Sequence, residues 1–206
     1  MTPLFFAIEG LDGSGGTTQS RLLQEWLTES GYSSMLTQEP SNGPVGQFIR
    51  QALLYSGTAS SVGDNVLPYL FAADRRDHLD REILPHLEQG RHVVSDRYYH
   101  SSLAYQALSV GLPLVAELNA PFRAPDITFF LYLSPEVSFE RVQLRGQPVE
   151  RFETLDRLRS VSDAYQTVLA HCRSRGEFIV TIDATRSIEE IHQAIVTSVQ
   201  DFMSQQ

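Results

Sequence analysis

The sequence contains no lysine, and all 16 of its basic residues are arginines. A chain of this length with average composition would carry on the order of ten lysines. With 25 acidic residues the formal net charge is −9, so the chain lacks the broad basic surface that general nucleic-acid binding requires. We therefore expect no nucleic-acid partner, although a local positive pocket is compatible with an acidic protein.

Cysteine and long apolar runs are also scarce. Cys172 is the single cysteine, which excludes an intrachain disulfide and a metal site built from cysteines, and the six histidines show no metal-ligand spacing. The N-terminal residues lack the basic segment and the apolar length of a signal peptide. No apolar run approaches the length that spans a membrane. We expect a cytoplasmic protein with no membrane partner.

Short apolar segments alternate with helical patterns along the chain. Strands are predicted at 4–9, 34–37, 92–95, 126–133 and 178–182. Helices are predicted at 17–30, 43–55, 65–89, 99–108, 135–144, 153–174 and 187–203. This alternation is typical of an α/β fold in which helices cover both faces of a parallel sheet. No linker or repeat interrupts the pattern, so residues 1–206 are predicted to form one domain.

A glycine-rich segment, GLDGSGGTT, lies between the first predicted strand and the first predicted helix. This layout is typical of a loop that binds phosphate through successive backbone N–H groups at a helix N-terminus. Gly10, Gly15 and Thr17 occupy the places that the motif requires, but glycine stands at position 16, where the motif has lysine. Thr17 is a candidate ligand for a magnesium ion bound to the phosphates. The alternative is an ordinary glycine-rich turn.

Two further segments carry candidate site residues at strand ends and on helix faces. Asp96 and Arg97 end a predicted strand, where a carboxylate can hold magnesium through water and an arginine can bind phosphate with two N–H groups. The alternative is a surface ion pair. Ser102, Tyr105 and Gln106 follow on one face of a predicted helix, where a polar stripe replaces the expected apolar one.

Phe71, Arg75 and His78 share one face of the long helix predicted at 65–89. An aromatic ring and an arginine on one face suit the recognition of a nucleobase. The alternative places Phe71 in the core and Arg75 on a solvated face. Several arginines in the segment 145–151 suit a lid that closes over phosphates, and the alternative there is a solvated loop.

Taken together, these segments resemble thymidylate kinases. The matching segments are FFAIEGLDGSG with TTQ, EP at 39–40, LFAADRRDHL, GRHVVSDRYYHSSLAYQ, PDITFFLYLSPE and ERFE at 150–153. They occur in the family's order and spacing over about residues 3–185. The resemblance implies a P-loop NTPase-type three-layer sandwich with a five-stranded parallel sheet and a short lid at about 145–152. It also implies transfer of the γ-phosphoryl group of ATP to dTMP with Mg²⁺, in dTTP synthesis, by a homodimer.

The resemblance implies a role for each matching residue. Phe71 would stack on thymine, Arg75 and Ser102 would hydrogen-bond its edge, and Tyr105 would disfavour a 2′-hydroxyl group. The full set for dTMP is Asp12, Glu39, Phe71, Arg75, Arg97, Ser102, Tyr105 and Gln106. The set for ATP is Gly10, Gly13, Ser14, Gly15, Gly16, Thr17, Thr18 and Arg141, with Arg141 stacked on adenine. Thr17 and Asp96 would serve magnesium, and the catalytic residues would be Asp12, Arg97, Arg145 and Arg151.

Two departures from the family pattern remove positive charge from the expected site. Gly16 replaces the lysine of the phosphate loop, and Gln38 stands where an arginine is usual, before a segment SNGP that lacks the usual double glycine. Gly13, where some relatives carry an arginine, implies the bacterial type whose catalytic arginine comes from the lid. Loss of one preorganised charge-stabilising donor typically costs about 10²–10³ in rate.

Three interpretations follow from these departures. The first is a working thymidylate kinase in which the metal, a lid arginine or Arg21 supplies the missing charge; the retained Asp12, Asp96 and Arg97 favour it. The second is a nucleotide-binding or regulatory protein with weak or no catalysis. The third, a kinase of another nucleoside monophosphate, is disfavoured because Phe71, Arg75 and Ser102 suit thymine.

Overall fold

A computed structural model of the chain describes residues 2–54, 62–144 and 154–205. Five strands form one sheet in the order β2-β3-β1-β4-β5. Each neighbouring pair of these strands is parallel, which confirms the predicted five-stranded parallel sheet. Their bounds are β1 Phe5–Gly10, β2 Ser34–Gln38, β3 His92–Asp96, β4 Ile127–Tyr132 and β5 Ile179–Asp183.

Helices connect the strands and cover both faces of the sheet. Their bounds are α1 Gly16–Glu29, α2 Pro44–Leu54, α3 Leu67–His78, α4 Leu84–Glu88, α5 Tyr99–Tyr105, α6 Ala107–Val110, α7 Leu112–Asn119, α8 Pro135–Leu144, α9 Leu155–Ser174 and α10 Ile188–Ser204. No helix in the described ranges is long and apolar enough to cross a membrane. The predicted lid at about 145–152 lies outside the described residues.

Two helical predictions were wrong in detail. The single helix predicted at 65–89 is divided by a π-helical turn, Leu79–Ile83. Pro85 follows that turn and has no backbone N–H to donate, so the regular α-helical pattern is broken one turn before it. The helix predicted at 99–108 is divided into α5 and the start of α6, with Gln106 between them. Gly111, with φ of +86°, then separates α6 from α7. Helix α7 was missed altogether.

The central strand β1 alternates its side chains between two cores, as the pleat of a strand requires. Phe6 and Ile8 lie in the cluster that contains Leu23 of α1 and Ile195 of α10. Phe5 faces the opposite core, which is built from the π-helical turn, α5, α7 and the C-terminal part of α9. Because both faces are buried, the strand reads as a continuous apolar run in the sequence.

The carboxyl ends of the three strands β1, β2 and β3 meet at one edge of the sheet. Asp96 pairs in register with Ile8 on one side and with Gln38 on the other. Ligands of parallel α/β sheets bind outside this edge, where the strand order reverses. The fold therefore brings the glycine-rich loop, the end of β2 and the Asp96-Arg97 pair to one place.

The loop after β2 is held tightly although it lacks a double glycine. Asp74 accepts hydrogen bonds from the Ser41 backbone N–H at 2.7 Å and from its hydroxyl at 2.6 Å. Arg50 donates to the carbonyl oxygens of Pro40 and Ser41. Helix α2 approaches so closely that a Cβ atom on Gly46 would lie 2.0 Å from the Ser41 carbonyl oxygen. Only glycine fits there, and the loop is fixed beside the site.

Candidate active site

The glycine-rich loop forms a cradle at the N-terminus of α1. Gly15 precedes the helix in a left-handed conformation, with φ of +95°, and Gly13 has φ of +79°. The first N–H groups of a helix have no partner within it, so they are available to an anion. A cavity of about 340 Å³ lies against this loop and is also lined by Asp96, Arg97 and Arg141. The cradle fits the phosphates of a nucleotide.

The two predicted magnesium ligands lie together at the edge of this cavity. The Thr17 hydroxyl donates to a carboxylate oxygen of Asp96 at 2.6 Å. Hydroxyl and carboxylate oxygens are ligands that magnesium accepts, usually together with water and substrate phosphates. The donor set therefore fits a magnesium ion bound beside the phosphate cradle.

Position 16 has room for a side chain, although glycine occupies it. Gly16 lies in the first turn of α1, and a Cβ atom there would lie 3.1 Å from the Asp96 carboxylate oxygen Oδ1. A small movement of that carboxylate would accommodate it. In the part of the chain that the structure describes, Arg97 and Arg141 are the arginines that line the phosphate cavity. Arg21 instead pairs with Glu25 at 2.7 Å on the exposed face of α1, so the structure does not support it as the replacement cation.

Position 13, in contrast, is closed to side chains. A Cβ atom on Gly13 would lie 3.0 Å from the Ser138 carbonyl oxygen and 3.1 Å from Cβ of Arg141. Gly13 also has the left-handed backbone that glycine favours. Arg141 reaches back from α8 and donates to the Gly13 carbonyl oxygen at 3.3 Å. The loop and the arginine of α8 are therefore packed against each other.

Arg97 connects this phosphate cradle with a second cavity. Its guanidinium donates to Asp12 at 2.7 Å and to the Gly10 carbonyl and the Ser101 hydroxyl at 3.0 Å each. Its backbone φ is +70°, a conformation that non-glycine residues adopt rarely. Burial acts to lower the pKa of Arg97, but Tyr105 and Asp12 outweigh it and raise the pKa well above its ordinary value. The guanidinium is therefore a fixed positive charge.

The second cavity has a volume of about 140 Å³ and is lined by every residue that the resemblance assigned to dTMP binding. Asp12 and Arg97 line both this cavity and the phosphate cradle. Gln106 is 5% exposed, and its side-chain oxygen has no hydrogen-bond partner among the described residues. A buried acceptor without a partner is costly unless a ligand supplies one. The full set in this cavity is Asp12, Glu39, Phe71, Arg75, Arg97, Ser102, Tyr105 and Gln106.

Arg75 is buried at the base of this cavity, and the alternative that placed it on a solvated face is wrong. It is 1% exposed and forms an ion pair with Glu39 at 2.5 Å. It also donates to Ser102 at 3.0 Å and to the side-chain oxygen of Asn119. These contacts use four of its five N–H groups. Among the described residues, the fifth N–H group has no partner and is left to meet a ligand.

The family model for thymidylate kinase matches residues 8–195 of the chain. The chain belongs to the thymidylate kinase family. It is 37% identical over 202 residues to the probable thymidylate kinase of Pyrococcus horikoshii, covering 97% of each chain. It is 40% identical over 188 residues to the probable thymidylate kinase of Pyrobaculum aerophilum, covering 91% of each. It is 38% identical over 170 residues to the thymidylate kinase of Leptospira interrogans, covering 81% of this chain and 82% of that one.

Membership of this family makes the chain an enzyme of the nucleoside monophosphate kinase kind. The structure brings together the predicted residues that it describes, in two adjoining cavities at the carboxyl edge of the sheet. The remaining two, Arg145 and Arg151, lie outside the described residues. Their catalytic role stays a prediction.

The sequence analysis missed two residues that position the site, Glu9 and Asn119. Glu9 is 1% exposed and accepts hydrogen bonds from the Tyr98 backbone N–H and the Ser101 hydroxyl, both of which follow Arg97 in the chain. Glu9 is an acidic residue in an apolar strand, directly before the glycine turn, and this position could have indicated a role in the site. Asn119 holds Arg75 from α7, the helix that was not predicted.

Removing the carboxylate of Glu39 is expected to destabilise the fold strongly. Glu39→Gln leaves the buried Arg75 guanidinium without its counter-charge, and breaking a buried ion pair in this way costs about 3–5 kcal/mol. The matched control is Glu25→Gln, which breaks the exposed pair with Arg21 and should cost less than about 1 kcal/mol. Urea unfolding of both variants measures the difference. Equal free energies of unfolding would contradict the buried pairing.

The stability of the protein should depend on the ionisation of Asp96. Burial raises the pKa of Asp96 above its ordinary value of 3.8, and the hydrogen bond from Thr17 offsets only part of that effect. The folded state therefore keeps the Asp96 proton to higher pH than the unfolded state does. As the pH rises from the unfolded-state pKa of Asp96 to its folded-state pKa, the free energy of unfolding falls. Asp96→Asn should be more stable than the unchanged protein at neutral pH, and the gain should disappear below pH 3.8. A difference in unfolding free energy that does not vary with pH would contradict this.

Proposed function

We propose that the protein transfers the γ-phosphoryl group of ATP to dTMP, with Mg²⁺, and forms ADP and dTDP. The observation that carries this proposal is the junction at Asp12 and Arg97, which line both the phosphate cradle and the cavity of the thymine-recognising residues. A phosphoryl donor in one cavity and an acceptor in the other would meet at this junction. Phosphoryl transfer depends mainly on positioning and on neutralising charge.

The residues of the smaller cavity can bind the base and the sugar of the acceptor nucleotide. Phe71 is half-buried at the wall of the smaller cavity, where its ring can stack on a base. The remaining N–H group of Arg75 and the oxygen of Gln106 can hydrogen-bond the edge of that base. Tyr105 donates to Asp12 at 3.2 Å and lies beside the sugar position that follows from this placement.

Charge neutralisation at the transferring group falls to Arg97, Arg141 and the metal. Arg97 is held in its ion pair with Asp12, so it is oriented before a ligand binds. Arg141 faces the cradle from α8 and can cover the donor nucleotide. Magnesium held by Thr17 and Asp96 would neutralise charge on the phosphates. We further propose that Arg145 and Arg151 supply the lid charge, which the closed space at Gly13 supports.

The second candidate function is a nucleotide-binding protein with little or no catalysis. Gly16 and Gln38 favour it, because each takes the place of a cation at the phosphate end of the site. Gln38 is half-buried at the end of β2, in register with Asp96, and its amide is neutral. The homodimer, the cytoplasmic location and the absence of a nucleic-acid partner stay predictions. Phe48, Leu54 and Tyr69 on α2 and α3 are exposed apolar side chains that support a homodimer.

Nucleotide selectivity tests the proposed acceptor. We expect dTMP to raise the melting temperature more than dUMP, dCMP or dGMP, because the small cavity is lined to hold one pyrimidine base. ADP release from ATP and Mg²⁺ should then depend on dTMP. A larger shift with another monophosphate would remove dTMP as the substrate. Binding of dTMP without ADP release would favour the second candidate.

A further inference from the structure

A cluster of three possible metal ligands lies outside the two cavities of the active site. His100 of α5, Cys172 of α9 and Glu177 before β5 each offer one ligand atom, and these atoms all lie within 4.8 Å of one another. His100 is fully buried and Cys172 is 1% exposed. The His100 nitrogen Nε2 lies 2.8 Å from a carboxylate oxygen of Glu177. Spacing along the sequence gave no sign of this cluster, because three separate elements contribute to it.

We propose that His100, Cys172 and Glu177 form a binding site for one zinc ion. An imidazole nitrogen, a thiolate and a carboxylate are the three ligand types that zinc uses in proteins. With bond lengths of about 2.0–2.3 Å, the ligand atoms of a tetrahedral zinc ion lie about 3.4–3.7 Å apart. The 2.8 Å separation between His100 and Glu177 must therefore widen slightly, and any separation near the 4.8 Å limit of the cluster must close by about 1 Å. Three protein ligands leave the fourth position open to water.

A neighbouring cavity provides that fourth position. It has a volume of about 170 Å³ and is lined by Cys172 and Glu177 together with Tyr99, Asn119 and His171. A water molecule needs only about 10–15 Å³ of such space. The cavity therefore has room for a water ligand beside Cys172 and Glu177.

The second nitrogen of His100 gives independent support for the site. His100 Nδ1 is buried without a hydrogen-bond partner among the described residues, and it lies 3.8 Å from the Glu9 carboxylate. A histidine that binds metal through one nitrogen usually donates its other N–H to a carboxylate or carbonyl. Zinc on Nε2 would place the proton on Nδ1, where it faces Glu9. The site would then adjoin the residue that positions the turn around Arg97.

Zinc binding at this site would release the thiol proton. Burial and the neighbouring Glu177 carboxylate raise the pKa of Cys172, so the thiol is protonated in the absence of metal. Burial acts to raise the pKa of Glu177, but its hydrogen bonds to His100, Tyr99 and Cys172 outweigh that effect and lower it. The ion would replace the proton on sulfur and the hydrogen bond between His100 and Glu177.

Titration with zinc and a competing chromophoric chelator tests the proposal on the full-length chain. We expect one tight zinc ion per chain, with affinity reduced at least about 100-fold in Cys172→Ser, the upper end of what loss of an outer supporting residue costs. Glu177→Gln should also weaken binding. His171→Asn is the matched control: His171 lines the same cavity but is not a proposed ligand, and its affinity should be unchanged.

Cobalt(II) provides a second readout that other metal sites in the protein cannot mimic. The chain has a single cysteine, so a thiolate-to-cobalt charge-transfer band can arise only from Cys172. The band should appear in the unchanged protein and be lost in Cys172→Ser, with circular dichroism in chelator confirming that both are folded. Absence of the band, or equal zinc affinity in the two proteins, would overturn the proposal. If Cys172→Ser does not fold, Glu177→Gln takes its place in the cobalt experiment. A weakened band in Glu177→Gln would support the site, and an unchanged band would overturn the proposal.

Discussion

Gly16→Lys is expected to raise kcat for dTMP phosphorylation by about 10- to 100-fold. The lysine would add one preorganised cation beside the transferring phosphoryl group, where removal of such a donor typically costs about 10²–10³. We expect a smaller gain because Asp96, 3.1 Å from the new Cβ atom, must move slightly and because effects within a cooperating set do not add. Steady-state kinetics with saturating ATP, Mg²⁺ and dTMP measure the change.

Gly16→Met is the matched control for this substitution. Its side chain has similar length without charge, so it imposes the same displacement of Asp96 and should leave kcat unchanged or lower it. A gain in the methionine variant would mean that helix propensity or packing, not charge, limits the reaction. No gain from lysine would mean that a lid arginine or the metal already supplies the charge.

Arg97→Ala is expected to lower kcat/KM by at least about 10³-fold. The substitution removes a cation worth about 10²–10³ by itself and leaves the Asp12 carboxylate without its 2.7 Å partner. Because Asp12 and Arg97 line both cavities, donor and acceptor binding should both weaken. Arg97→Lys should recover only part of the loss, since an ammonium cannot contact Gly10, Ser101 and Asp12 with the geometry of a guanidinium.

Arg97→Gly separates lost charge from backbone strain. Glycine accepts the left-handed conformation at φ of +70°, so this variant should be at least as stable as Arg97→Ala and equally inactive. Arg76→Ala, which removes an exposed arginine paired with Asp80, should leave kinetics unchanged. Substantial activity in Arg97→Gly would contradict a charge role for Arg97.

The sheet was predictable from the sequence because its three central strands, β1, β3 and β4, are buried on both faces. Segments such as HVVS and DITFFLYL are continuous apolar runs bounded by turn residues, and the structure contains strands at both. Helix ends were less predictable. Helix α7 follows Gly111 and contains a proline in its first turn, so its short pattern resembles a loop in the sequence.

The candidate site was predictable as a set of residues, whereas its internal contacts were not. Residues on one helix face or at strand ends can be grouped by periodicity and topology alone. The roles of Glu9 and Asn119 depend on partners 92 and 44 positions away in the chain, Ser101 and Arg75, and no local pattern encodes such contacts. For the same reason Arg75 had two open interpretations until its burial was known.

Formation of dTDP tests the central claim most directly. The unchanged protein, incubated with ATP, Mg²⁺ and dTMP, should produce dTDP and ADP in equal amounts, measured by chromatographic separation of the nucleotides. That result would establish that a phosphate loop with glycine at position 16 still supports phosphoryl transfer. Tight dTMP binding without dTDP, even at high protein concentration and long incubation, would contradict the account and identify the protein as a nucleotide binder.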